Sequence, residues 1–141
     1  VLVPVAGAVI FVFLVKNFAP EAGGHGVPEV IDAIYYEKAA IRPVVAVIKA
    51  LASATSIGSG GSVGREGPII QIGAAFGSWS GGICGVSRWQ RATLVAAGGG
   101  AGIAATFNTP IGGVLFAAEV LLHEISVRTL VPVALAIATA T

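Results

Sequence analysis

Gly64-Arg65-Glu66-Gly67-Pro68 places two charges at the head of a run, residues 67–87, that carries none. Proline suits the first turn of a helix, where its missing N–H would find no intrahelical partner, and the glycine before it frees the backbone to turn. The pentapeptide therefore reads as a helix start. In hydrocarbon such a start is costly, because it leaves N–H groups unpaired and carries about half a positive charge. An anion would satisfy both, as in membrane sites built at the ends of broken helices. Arg65 and Glu66 add weight, since a charge at membrane depth costs at least ~2.5 kcal/mol on insertion scales. A carboxylate at a positive helix end can sit where a halide would sit, and protonation would release it. Glu66 is thus a candidate gate. The competing structural account of the pair is a salt bridge or an interfacial loop.

The surrounding composition fits a lipid setting. Apolar residues make up 55% of the 141 and charged residues 11%, against a typical quarter for charged residues. Eight Lys and Arg stand against seven Asp and Glu, so neither a nucleic-acid footprint nor a polybasic surface patch is expected. A second uncharged run covers residues 92–118. Both runs approach the roughly 20 residues a spanning helix needs. Gly67-Pro68, Gly81-Gly82 and Asn108-Thr109-Pro110 interrupt them, which predicts broken helices. The expected fold class is all-α and membrane-embedded, with several passes.

Helices are expected over residues 1–16, 28–36, 43–55, 68–79, 92–106 and 110–123, and from 129 onward. A Gly-rich turn at 20–27, a charged loop at 37–42, a Gly/Ser stretch at 58–64 and a loop at 88–91 separate them. Small residues crowd 96–105, as they do where helix backbones pack closely in lipid. Cys84 is the single cysteine; it reads as a buried small hydrophobe, with no disulfide or thiolate metal cluster. Apolar runs at 1–15 and 129–141, and the lack of Met, predict a chain cut at both ends, with 1–141 forming part of one transmembrane domain. No basic segment precedes residues 1–15, so a signal peptide is not expected.

The turn-then-proline pattern occurs three times, at Gly26-Val27-Pro28, Glu66-Gly67-Pro68 and Asn108-Thr109-Pro110. Other chemistries fit less well. Ser59 and Ser62 with His25 or His123 would be the elements of an intramembrane hydrolase, but nothing marks an activated nucleophile. A phosphate loop lacks its first glycine and its Lys-Ser/Thr pair. His25, His123 and Glu124 show no ligand spacing, so neither a metal nor another cofactor is expected. A purely structural membrane subunit is the remaining alternative class.

At these residues the chain resembles the CLC family of chloride channels and chloride/proton antiporters. Gly24-His25-Gly26-Val27-Pro28 is similar to its GSGIP filter element, and Gly64-Arg65-Glu66-Gly67-Pro68 matches its GREGP element at every position. Phe107-Asn108-Thr109-Pro110 and the helix from Gly113 to Glu119 also resemble the family, over about residues 18–124 in all. The resemblance implies tilted, broken helices forming part of one of two inverted repeats, and a homodimer in the bilayer whose subunits each pass chloride or another small anion. It implies that Glu66 gates, that Arg65 is mainly structural, and that backbone N–H groups of both elements face the anion. His25 departs from the usual serine; it puts anion preference in doubt and brings a side-chain type that changes charge near neutrality, while backbone donors at Gly26 are independent of it. Val120 stands where proton-coupled members commonly carry an inner glutamate. That substitution favours a passive channel with a glutamate gate; the alternative is a chloride/proton or fluoride/proton antiporter.

Overall fold

The computed structural model describes residues 2–123 and 126–141. Within them every regular element is helical. Helix α1 spans Leu2–Phe18, and a 3-10 turn at Pro20–Gly23 leads to α2, Val27–Tyr35. Then come α3 (Pro43–Gly58), α4 (Glu66–Ile83) and α5 (Arg88–Phe107). Helix α6, Pro110–Leu115, runs directly into a π-helical segment, Phe116–Leu122, and α7 covers Val127–Ala140.

Local chemistry accounts for most ends. Helix α5 starts at Arg88, not at 92 as expected, because Ser87 accepts a bond from the Gln90 N–H at 3.4 Å while Gln90 Oε1 accepts the Ser87 N–H at 3.1 Å. This reciprocal cap absorbs the anticipated 88–91 loop into the first turn. Helix α5 stops at Asn108, in the left-handed region with φ 53°, where Asn is one of the few side chains tolerated. Helix α4 starts at Glu66, two residues before Pro68, since proline is accepted anywhere a first-turn N–H has no partner. It runs through Gly81 and Gly82 to Ile83, so that pair does not break it. Cys84 caps its end and is exposed, not buried.

Among the described residues no helix is long and apolar enough to cross a membrane. The uncharged run 92–118 is divided at Asn108, between α5 and α6. The segments are packed through glycine. Helices α4 and α5 run antiparallel, and a Cβ on Gly73 would overlap the Gly98 carbonyl, while one on Gly98 would overlap that of Gly73. Gly77 stands in the same relation to Leu94, and Gly100 meets Gly113 of α6. The small-residue stripe at 96–105 is therefore a helix–helix seam, with Ala96, Ala97 and Ala104 buried in it. Around it lies the main core, including Val30, Ile70, Val95, Leu121, Val133 and Ile137. A second cluster of Val15, Ala22, Val45, Ile48 and Ala52 ties α1 and the 3-10 turn to α3.

Candidate functional site

Gly26 is the N-cap of α2, with φ 106°, a conformation open to glycine and strained for other residues. Its backbone lies directly on Gly67, in the first turn of α4. A Cβ on Gly26 would overlap the Gly67 carbonyl, and one on Gly67 would overlap the His25 carbonyl. Two helix starts from separate parts of the chain thus meet with no side chain between them.

One cavity of about 560 Å³ forms at this junction. Gly24 and His25 border it from the first element, and Gly64, Glu66, Gly67 and Pro68 from the second. Other expected site residues lie outside it. Gly26 is buried at the contact itself, Val27 packs against the main core, and Pro28 is exposed. Arg65 is the exposed N-cap of α4 and does not border the cavity.

The Glu66 carboxylate folds back over Gly64, where a Cβ on that glycine would overlap it. The ion pair present among the described residues is Arg42–Glu21, at 2.6 Å. The salt-bridge account of Arg65 and Glu66 therefore finds no support. Both side chains are exposed, which leaves the Glu66 carboxylate free to move within or out of the cavity. In the Arg42–Glu21 pair, the guanidinium hydrogen bond holds the Glu21 carboxyl below the ordinary carboxylate range.

Two charged residues at the site were not anticipated. Lys49 of α3 is only 4% exposed and borders the cavity, and its Nζ donates to the carbonyls of Ala22 at 2.9 Å and Gly24 at 2.5 Å. It clamps the loop that leads into α2 and places a positive charge in the cavity wall. Beside that loop Glu29 Oε2 accepts the Gly26 N–H at 2.7 Å. The Gly26 N–H, which the resemblance turns toward an anion, is held in this structure by the chain's own carboxylate. The α4 start, by contrast, has its first backbone bond from Ile69 N–H to the Arg65 carbonyl, at 3.1 Å. The N–H groups of Glu66 and Gly67 precede that bond and belong to the unpaired first turn. Sequence carried a signal for both missed residues. Lys49 is a lone charge within the apolar helix 43–58, and Glu29 is the third residue after a helix cap.

The remaining candidates do not converge. Ser59 Oγ donates to the Ser56 carbonyl at 3.0 Å. His123 Nδ1 lies 3.4 Å from the Tyr35 hydroxyl, and Glu124 lies outside the described residues. Among the described residues no three His, Cys, Asp or Glu side chains are grouped to hold a metal ion. Glu119 is exposed and Val120 partly buried, both in the π-helical segment.

The comparisons with known proteins point the same way as this geometry. The family model described as voltage gated chloride channel matches residues 7–141. The proteins named H(+)/Cl(-) exchange transporter ClcA of Salmonella arizonae and of Salmonella newport are each 40% identical to the chain over 120 residues. Those matches cover 79% of this chain and 24% of each relative, so the chain spans about a quarter of the relatives' length. With the family model matching almost end to end, the chain belongs to the voltage-gated chloride channel family, CLC.

Proposed function

We propose that this chain supplies half of the anion seat, and its gate, in a membrane-embedded chloride/proton exchanger. The observation that carries this is the junction of the two glycine-proline helix starts on one cavity, with Glu66 on its border and Lys49 buried in its wall. A chloride ion there would be held by the unpaired N–H groups at the start of α4 and by the Lys49 charge. The Glu66 carboxylate would compete for the same place. When protonated it loses its charge, yields to the anion and carries one proton, so the bare carboxylate and the anion exclude one another at a single point and anion entry is tied to proton binding.

The exchanger replaces the passive channel favoured from Val120. Relatives at 40% identity carry an exchange transporter's name, and a single apolar substitution weighs less than that kinship. The bilayer and a second copy of the whole protein are part of the same proposal. Reconstitution of the full-length protein in liposomes, under opposed chloride and proton gradients, tests it. A reversal potential that moves with the proton gradient is expected; one set by chloride alone would return the passive channel.

A further inference from the structure

We infer that Glu29 relays protons between the end of the bundle that bears the 36–42 loop and the cavity that holds Glu66, through water held beneath it by Gln71. This rests on the exchanger reading and adds the route by which its proton reaches the gate.

A second cavity, of about 210 Å³, lies beneath the 36–42 loop and is bordered by Glu21, Glu29, Glu37, Arg42 and Gln71. Gln71 is 2% exposed. Its Nε2 donates to the Glu21 carbonyl at 2.8 Å, but its Oε1 is buried without a hydrogen-bond partner. Leaving such an oxygen unmet costs about 1–3 kcal/mol, so the site calls for a donor. Arg42 is engaged with Glu21, and the other charged borders are carboxylates, which repel an anion. Water fits: each molecule occupies about 30 Å³, so the cavity has room for several.

Glu29 borders this cavity and touches a residue that borders the larger one. Its carboxylate packs against Gly24 and accepts the Gly26 N–H. Gly24 in turn borders the cavity that contains Glu66. Lys49 from α3 brings the nearby positive group, donating to the carbonyl of the same Gly24. From the loops Glu21 and Glu37 add negative charge, Arg42 is paired with Glu21, and Gln71 of α4 and His25 complete the polar surroundings.

The smaller cavity lies toward one end of the bundle. There the Ile41 N–H donates to Ser78 near the end of α4, at 2.8 Å, and the Tyr35 hydroxyl donates to the Leu122 carbonyl, at 2.7 Å. Val120, near that end, has no group able to bind a proton. In the relay, water at the 36–42 loop delivers a proton to a Glu29 oxygen, forming one O–H bond. That bond then breaks toward water in the larger cavity and a new one forms on Glu66. Glu29 returns to the carboxylate, and one proton has moved.

The test uses the full-length protein in liposomes, with proton and chloride fluxes measured together. Glu29→Gln keeps an oxygen able to accept the Gly26 N–H and should lower protons moved per chloride at least tenfold, with persisting chloride flux showing that the variant is folded. Gln71→Leu should lower the ratio several-fold. A parental ratio in Glu29→Gln overturns the relay. Should that variant carry no chloride, Gln71→Leu decides: a reduced ratio supports the relay and a parental one overturns it. A parent with no proton coupling overturns the exchanger and the relay together, whereas a coupled parent with coupled variants overturns the relay alone. If replacing external and internal sodium and potassium by a large organic cation abolishes proton flux in the parent, the small cavity is a cation site and the relay is overturned.

Discussion

Gly73 against Gly98 and Gly26 against Gly67 are the same contact in steric terms, since each glycine leaves room for the other's backbone. Their surroundings differ. The first pair sits within α4 and α5, where backbone N–H and C=O groups are already paired along the helices. Its close approach gains packing alone, and small buried neighbours such as Ala74 and Ala97 continue the seam. The second pair sits at two helix starts, where the first N–H groups have no intrahelical partner. There, close approach gathers polar groups around a cavity and brings charge with it, in Glu29, Lys49 and Glu66. Position along the helix, more than residue type, decides whether a glycine contact is a seam or a site.

Substitutions can break that contrast. Glu66→Gln, which mimics the protonated side chain, should abolish proton movement through this cavity while anion flux continues or rises. Unchanged coupling in liposomes would remove Glu66 from the gate. Gly98→Leu should be the most damaging change at the seam. Overpacking costs about 1–3 kcal/mol or more, so the melting temperature in detergent should fall by several degrees; a parental value would show that α4 and α5 can separate freely. Gly26→Ala combines a comparable clash with a strained φ that costs about 1–3 kcal/mol. Unlike Gly98→Leu, it should also alter the chloride-to-nitrate ratio of whatever flux remains. His25→Ser should shift that ratio, or chloride against fluoride, by a few-fold with little change in melting temperature, and identical ratios would place the imidazole outside the anion's path.

The smallest effect belongs to an exposed ion pair that is part of neither contact. The Arg42 hydrogen bond lowers the Glu21 pKa in the folded chain, so its stabilisation is present above the unfolded value, about 4.5, and fades as pH falls through the lower folded value. Glu21→Gln should therefore lower the melting temperature slightly near neutrality, and the difference should close in acid. Added salt should shrink it as well, because the pair is largely exposed.

What the sequence made legible was local. Helix starts at Gly26-Val27-Pro28 and Glu66-Gly67-Pro68 follow from the chemistry of proline and glycine within a few residues. The small-residue seam follows from composition alone. Ser87 and Gln90 also form a readable cap, but Arg88 and Arg91 read as a charged loop, which puts the expected start of α5 four residues late. The parts that escaped depend on residues far apart in the chain. Nothing near Gly24 announces that Lys49, 25 positions on, will clamp its carbonyl. Nor does Gln71 declare that it will reach back 50 positions to Glu21 and leave its other atom unmet. The π-helical turns at Phe116–Leu122 have no sequence signature at all, since they differ from an α-helix in hydrogen-bond spacing and not in residue preference.

Those wide turns set the phase of the residues within the segment itself. An α-helix advances about 100° per residue, at 3.6 residues per turn, so the extra residue held in a widened turn rotates the later side chains by about that amount. Glu119 is exposed and its neighbour Val120 is partly buried, and both sit within the widened turns. Removing one residue between 116 and 119 would let the segment relax to an ordinary helix and swing the face that position 120 presents by about a third of a circle, without changing a single side chain beyond the deletion.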